Sequence, residues 1–244
     1  MKADKILYPG ISLWLLLLIP VILAGFYPTY LAKLPGTMGG IIHIHTLFMS
    51  CWLILAITQP MLIRKKKIRW HRTLGKLSYV VMPLVLFFGY MVIRFSYLGR
   101  IDRAGGTGAD IATLAFIKSE LYIPIIYLAW LAVFYILAVS WRRRMIYHAT
   151  FMFAAILTVL GPSVDRIIFQ VYEYYDREFD LFAEVAVFVL IDILLLGLLY
   201  YHWRNNYPIR AAALALSIYL IGQLGYFLLP KTQGWQMFVT WIMV

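Results

Sequence analysis

Seven long apolar segments, separated by polar stretches, run along this chain. Each is long enough to cross about 30 Å of hydrocarbon as an α-helix, which needs about 20 residues. The spans predicted from this pattern are residues 9–30, 41–63, 74–96, 120–141, 148–171, 182–202 and 210–230. The pattern predicts an all-α fold, a polytopic transmembrane bundle of about seven helices that forms a single integral membrane domain over residues 1–244.

Features that interrupt this pattern refine the prediction. The one long connection is Tyr97–Ser119, whose glycine-rich centre favours an external turn. The tail Lys231–Val244 carries little charge and two tryptophans, which indicates an amphipathic segment in the outer interface. Four prolines fall inside predicted helices, where each removes a backbone donor and favours a kink: Pro20, Pro83, Pro124 and Pro162.

Composition supports a membrane protein. Hydrophobic residues make up 63% of the chain and charged residues 14%, whereas soluble domains average about 45–50% and about 25%. A cleaved signal peptide is an alternative for the first segment, but that segment is long for a signal sequence, so we favour an uncleaved helix. The single cysteine, Cys51, excludes a disulfide framework within the chain.

The net charge of +11 would suggest nucleic-acid binding in a soluble protein, but here its distribution points to membrane topology. Most basic residues fall in the connections on one side of the membrane: Lys2, Lys5, Arg64, Lys65, Lys66, Lys67, Arg69, Arg72, Lys76, Arg142, Arg143, Arg144, Arg204 and Arg210. The positive-inside rule makes that side cytoplasmic, so we expect the N-terminus inside and the C-terminus outside. The expected partner of these charges is the lipid bilayer with its anionic headgroups, and no nucleic acid is expected.

Polar side chains at membrane depth gather in the outer half of the predicted bundle. They are His43, His45, Arg94, Asp165, Arg166, Gln170, Glu184 and Gln223. A charge in lipid costs several kcal/mol, so these groups should face one another or water. The sequence therefore predicts an outer-half polar cavity.

The two histidines of this set cannot both face that cavity. His43 and His45 are two residues apart, so on a regular helix they point about 200° away from each other. His45 shares a helix face with Trp52 and Gln59, which makes it the better candidate for a metal ligand or proton relay. Asp165 is its candidate partner, as a second metal ligand or as the group that orients the imidazole ring. A structural hydrogen bond between them, without any ligand, is the alternative.

Three further histidines lie at the cytoplasmic ends of predicted helices: His71, His148 and His202. Aromatic and amphipathic rings often anchor helices at this level, and that is one interpretation. The other is that they converge on a heme or metal ion. In that case His71 and His148 would be the axial pair, with His202 in reserve.

Three stretches carry a resemblance to a known family. They are His43-x-His45 with Trp52 and Gln59, the segment Trp70-His71-Arg72-Thr73-Leu74-Gly75, and Arg143-Arg144-Met145 through Pro162 to Asp165-Arg166. Together they resemble a broad family of bacterial multi-pass membrane proteins of unknown function, with HxH…Q and HRxxG motifs. The resemblance implies a shared helical-bundle core in the bacterial cytoplasmic (inner) membrane. It implies no activity.

Three functional hypotheses follow. The first is binding of a metal ion or heme through membrane-embedded histidines, in which case the bound group would serve electron transfer. The second is a transporter or channel for a small solute or proton through the outer-half cavity. The third is a non-catalytic subunit that binds another membrane protein or a second copy of this chain. A retinal-based photoreceptor is excluded because Ala211–Leu229 contains no lysine. No residue is indicated as catalytic, and the sequence does not decide whether the protein is an enzyme.

Overall fold

The fold, taken from a computed structural model, is helical throughout the part it describes. That part covers residues 10–34, 36, 38–176 and 181–243, with the side chains of residues 13, 107 and 181–184 left out. No strand occurs within it. Its α-helices are α1 (Ile11–Phe26), α2 (Gly40–Arg64), α3 (Ile68–Arg103), α4 (Ile111–Glu120), α5 (Tyr122–Ser140), α6 (Met145–Leu157), α7 (Leu160–Tyr174), α8 (Leu181–Arg204), α9 (Ile209–Leu228) and α10 (Gln233–Met243). The predicted all-α bundle is confirmed.

Six helical stretches in the described chain are long and apolar enough to cross a bilayer. They are Gly40–Arg64, Ile68–Arg103, Ile111–Ser140, Met145–Tyr174, Val185–Arg204 and Ile209–Leu228. The first predicted span corresponds to α1, an apolar helix of 16 residues and about 24 Å. Large apolar side chains such as Ile193 of α8 and Ile221 of α9 are exposed, as expected where helices contact lipid. The chain is a multi-pass membrane protein.

The prediction of a long loop over Tyr97–Ser119 is wrong. Helix α3 continues to Arg103 and α4 begins at Ile111, which leaves only a short glycine-containing turn between them. Asp110 caps α4 by accepting a hydrogen bond from the Thr113 backbone N–H at 2.9 Å. An ion pair between Arg100 and Glu120 joins the two helices. The polar residues on either side of this turn therefore lie within α3 and α4 and do not end these helices.

The prolines behave in two different ways. Pro20 and Pro83 lie inside α1 and α3 as predicted, and Pro60 lies inside α2, which the sequence analysis did not consider. Pro124 and Pro162, in contrast, are the third residues of α5 and α7. The N–H groups of a first helical turn have no intrahelical acceptor, so a residue without an N–H costs no hydrogen bond there. These two prolines therefore lie at helix starts and do not kink the helices.

The predicted span 148–171 is consequently divided into α6 and α7. At the junction the Val159 backbone N–H donates to the Ile156 carbonyl at 3.0 Å, three residues back, as in a 3₁₀ turn. The Ser163 hydroxyl donates to the Val159 carbonyl at 2.9 Å. The junction is therefore a tightened turn whose backbone groups are largely satisfied within the chain.

The bundle core lies between α2, α3 and α5 to α9. Its fully buried side chains include Trp52, Phe134, Phe151, Ile191 and Tyr219. Helix α1 packs against α7, α2 against α3, and α5 against α3, α6 and α9. Helix α8 packs against α7 and α9. Helix α5 is thus the central element.

Glycines on neighbouring helices allow the aromatic side chains of α5 to approach closely. A Cβ atom at Gly161 of α7 would overlap the ring of Tyr127. One at Gly222 of α9 would lie 2.5 Å from the indole of Trp130, whose Nε1–H donates to the Ile218 carbonyl at 3.2 Å. Small residues at membrane helix interfaces have this effect because close packing is a main source of helix association in lipid.

The tail forms the predicted amphipathic helix, α10, which covers the outer end of α3 and α4. The hydroxyl of Tyr90 donates to the Ile242 carbonyl, and Arg94 Nε donates to the Met243 carbonyl at 2.9 Å. Met243 is buried, whereas Trp241 is 81% exposed. Side chains of α3 therefore bind the last carbonyls of α10, which a helix leaves without intrahelical partners.

We predict that Gly161→Ala lowers the free energy of unfolding by about 1–3 kcal/mol, because the new methyl group must displace the Tyr127 ring. The matched control is Gly197→Ala in α8, where a Cβ meets no atom within 4 Å and the higher helix propensity of alanine adds up to about 1 kcal/mol. Thermal unfolding of both variants in detergent measures the difference. Equal midpoints would contradict the close Gly161–Tyr127 contact.

Candidate functional site

Four ionisable side chains lie within electrostatic range of one another in the predicted outer half of the bundle. They are His45 of α2, Tyr127 of α5, and Asp165 and Arg166 of α7, and we call them the outer cluster. Arg166 lies close enough to His45 and to Asp165 to interact with both electrostatically. Asp165 interacts in the same way with Tyr127. Three helices that are distant in the sequence thus contribute charged or titratable groups to one place.

Several polar atoms of this region are buried without a hydrogen-bond partner. Within the described residues these atoms are His45 Nδ1, Trp52 Nε1 and Tyr127 Oη. His45 and Trp52 are seven residues apart and therefore lie on the same face of α2. Buried polar groups in proteins are nearly always paired with protein, water or a ligand. The cluster therefore offers donors and acceptors that the rest of the chain does not use.

The surroundings of the cluster fix its side chains. The His45 ring lies against Gly89 of α3, where a Cβ atom would be 3.5 Å from Cε1 of the imidazole. Arg166 Nη1 donates to the Pro162 carbonyl at 2.5 Å, and the guanidinium lies 4.4 Å from the centre of the Phe26 ring. Arg166 is thereby held toward α1, and within the described residues it forms no ion pair with Asp165.

Other residues of the predicted outer set have partners elsewhere. His43 Nδ1 is hydrogen-bonded to the Tyr30 hydroxyl at 2.9 Å, beside the end of α1. Arg94 binds the Met243 carbonyl of α10. Gln223 Nε2 donates to Asp192 Oδ1 at 2.9 Å, between α9 and α8. The Glu184 side chain lies outside the described residues. The structure brings His45, Asp165 and Arg166 together and places His43, Arg94 and Gln223 in other contacts.

Tyr127 was not among the residues predicted from the sequence. A tyrosine in the apolar segment 120–141 is unremarkable by itself, because tyrosines are common in helix cores and at membrane interfaces. Its importance depends on Gly161, which lets the ring lie on α7 one turn before Asp165. The available signal was the glycine beside Pro162, which precedes Asp165 by four residues on the same helix face.

The arrangement gives no support to a metal site at His45 and Asp165. Among the described residues, no group of three or more histidine, cysteine, aspartate or glutamate side chains is placed to hold a metal ion. Arg166 also puts a positive charge beside His45, and this charge would oppose a bound dication.

His202, one of the three inner histidines, has structural contacts. Its fully buried ring has Nδ1 at 3.0 Å from the Pro208 carbonyl and Nε2 at 3.4 Å from the Thr150 hydroxyl. These contacts join α8 to the start of α9 and to α6. The hydrogen bonds of His202 therefore connect α6, α8 and α9 at their inner ends.

The other two inner histidines lie near each other. His71 of α3 and His148 of α6 interact electrostatically. His148 Nδ1 donates to the Ala138 carbonyl at 2.8 Å, since a carbonyl can only accept. The Gln59 amide, with its nitrogen toward His71, donates to His71 Nδ1 and at 3.1 Å to the His71 carbonyl. His71 and His148 thus each have defined hydrogen bonds at the predicted cytoplasmic end of the bundle.

We predict unequal effects of removing two buried tyrosine hydroxyls. Tyr219 Oη donates to the Ala154 carbonyl at 2.8 Å, so Tyr219→Phe should lower the free energy of unfolding by about 1 kcal/mol. Tyr127 Oη has no partner among the described residues and can be paired only with mobile water there, so Tyr127→Phe should lower stability by less than Tyr219→Phe. Thermal unfolding in detergent compares the two variants. An equal loss in both would show that the Tyr127 hydroxyl makes a hydrogen bond as strong as that of Tyr219.

Comparisons with known proteins leave the site to be interpreted from its own geometry. No protein-family model matches the chain, and searches of curated proteins and of solved structures return no significant match.

Proposed function

We propose that this protein conducts protons across the bacterial cytoplasmic membrane, with the outer cluster as its outward-facing proton-binding site. The observation that carries this proposal is the burial of His45 Nδ1, Trp52 Nε1 and Tyr127 Oη without partners among the described residues, in the same cluster as Asp165. Water molecules that pair with these atoms would connect titratable groups within the core. Such a connection is what proton movement through a helical bundle requires.

The depth of the cluster supports a functional role. At 1.5 Å per residue, His45 lies about 10 Å along α2 from Trp52, which is near the middle of that helix. Charged side chains at membrane depth are rare in helical proteins, and those that occur commonly mark ion or proton pathways. Within the described residues Asp165 forms no salt bridge with any basic side chain, so its charge is not neutralised by an ion pair there.

The packing of the cluster favours a proton over a larger solute. Two open hollows on the described surface lie elsewhere, one beside Lys118 and Trp241 and the other beside Tyr200 and Trp203. The outer cluster instead lies among closely packed helices, with Gly89 against His45 and Gly161 against Tyr127. A file of water molecules needs far less room than a metabolite.

Proton flux into proteoliposomes tests the proposal. Vesicles with an internal pH dye and an imposed potassium diffusion potential should acidify or alkalinise faster with the wild-type protein than without protein. Asp165→Asn should reduce the rate to that of protein-free vesicles, because an amide cannot carry a proton.

Asp192→Asn is the matched control for this experiment. Asp192 is also a carboxylate within a membrane helix, but it accepts a hydrogen bond from Gln223 on the α8–α9 side of the bundle. We expect its flux to remain that of the wild type. A wild-type rate equal to that of protein-free vesicles would refute the proposed function.

Heme binding for electron transfer is the second candidate, because His71 and His148 lie near each other. The Nδ1–H of His148 donates to a backbone carbonyl, and this leaves Nε2 free to bind iron. At His71 the Gln59 amide donates to Nδ1, which is the opposite of what an Nε2 ligand needs. We expect no Soret band from purified protein. A stoichiometric band lost in His148→Ala would establish the second candidate instead.

A further inference from the structure

Helix α10 divides its side chains between the bundle and the surface. Three residues at four-residue intervals are buried against the outer ends of α3, α4 and α5: Trp235, Val239 and Met243. On another face Met237 is 73% exposed and Trp241 is 81% exposed, one helical turn apart. Gln236 and Thr240 lie between these two faces. The helix therefore has a polar edge next to an exposed apolar face.

Hydrogen bonds hold this polar edge against α4. The Trp235 indole N–H donates to the Lys118 carbonyl at 2.8 Å, and Gln236 Nε2 donates to the Ala115 carbonyl at 3.2 Å. The Thr240 hydroxyl donates to the Gln236 carbonyl at 2.8 Å, so it is the acceptor in its 2.9 Å bond with Lys118 Nζ. Thr240 thus uses one of the three N–H groups of the Lys118 ammonium. The other two have no acceptor among the described residues.

Lys118 lies at the level expected for lipid headgroups. Helices α4 and α5 follow each other in one helical stretch, Ile111–Ser140. Three arginines at positions 142–144 come directly after this stretch, and the positive-inside rule places them at the cytoplasmic surface. Lys118 precedes Ser140 by 22 residues, or about 33 Å of helix, and the hydrocarbon core of a bilayer is about 30 Å thick. The ammonium is therefore expected at the outer boundary of the hydrocarbon.

The charge of Lys118 is not neutralised by the part of the chain that the structure describes. Glu120, two residues further on, is paired with Arg100. An open hollow, which we call the α4–α10 hollow, lies beside the ammonium, and its other lining residues carry no charge: Gln236, Met237, Thr240 and Trp241. A cation beside an exposed apolar face complements a lipid, in which a phosphate group adjoins the acyl chains. A zwitterionic headgroup would bring a second ammonium close to Lys118, so an anionic headgroup is the better match.

We propose that the α4–α10 hollow binds an anionic phospholipid of the leaflet on the predicted outer side. Its phosphate accepts hydrogen bonds from the two remaining N–H groups of Lys118, and an acyl chain packs on Met237 and Trp241. The site shares no residue with the outer cluster, so the proposal does not depend on proton conduction. Bound lipid would secure α10 to the outer end of the bundle.

Quenching of tryptophan fluorescence by brominated lipids tests the site. The protein is placed in vesicles of equal parts phosphatidylglycerol and phosphatidylethanolamine, with bromine on the acyl chains of one lipid at a time. The contribution of Trp241 is the difference between each protein and its Trp241→Phe counterpart. We expect phosphatidylglycerol to occupy the site beside Trp241 about five times as often as phosphatidylethanolamine, and its brominated form to quench correspondingly more.

Substitutions of Lys118 separate its charge from its packing. Lys118→Gln removes the charge but keeps an N–H donor for Thr240, and we expect the two brominated lipids to quench Trp241 equally. Lys118→Arg keeps the charge and should retain the preference. Lys33→Ala is the control, since this exposed lysine lies on the same predicted side of the membrane and does not line the hollow. Its preference should be that of the wild type. Thermal unfolding in detergent verifies that each variant is folded.

Several results would overturn the proposal. One is equal quenching of Trp241 by the two lipids in the wild type, and another is a preference that persists in Lys118→Gln. Loss of the preference when inorganic phosphate is added in excess would show a site for a free anion and not for a lipid. Native mass spectra in detergent test the remaining occupant, a second copy of the chain. We expect a monomer that retains phosphatidylglycerol, whereas a dimer that is lost in Trp241→Ala would refute the lipid site.

Discussion

The close approach of two glycine backbones to the aromatic face of α5 is the contact on which the rest of this bundle depends. In lipid, apolar side chains gain little by leaving one apolar medium for another, so helices associate mainly through close packing. Gly161 and Gly222 allow α7 and α9 to pack directly on Tyr127 and Trp130. The same contact sets the chemistry of the core, because Gly161 and Asp165 share a face of α7. The packing of Gly161 on Tyr127 and the position of Asp165 are therefore coupled.

A low-dielectric interior makes the placement of the remaining polar groups consequential. Each hydrogen bond formed there is strong, and each polar group left alone is costly. In the inner half of the described core, Gln59 and Ser78 satisfy their neighbours through backbone and side-chain bonds. In the outer half, His45 and Tyr127 keep unpaired atoms. The cost of that arrangement argues against an accidental origin, since apolar residues of similar size would pack as well.

The sequence predicted the fold in outline and the site only in part, for distinct physical reasons. Hydrophobic length predicted α2 and α9 to within a few residues, because the bilayer imposes that length. Hydrophobic length did not predict that α3 continues to Arg103, because a helix can extend beyond the hydrocarbon where pairs of polar side chains stabilise it. Depth along the helices pointed to His45 and Asp165. It could not show that Arg94 binds the end of α10, a partner 149 residues away that only the tertiary fold brings near.

The tightened turn between α6 and α7 has a mechanical consequence. His148 lies on α6, on the inner side of this turn, and Asp165 lies on α7, on its outer side. The two titratable residues are therefore on separate helices that are joined by one turn. Pro162 lies in the first turn of α7, where a helix leaves its N–H groups without intrahelical partners, so the junction accommodates the missing donor. A change of angle at Val159 would alter the distance between His148 and Asp165 and the packing of α7 on α1 and α8. The separation of the two residues is therefore set by the geometry of one turn between α6 and α7.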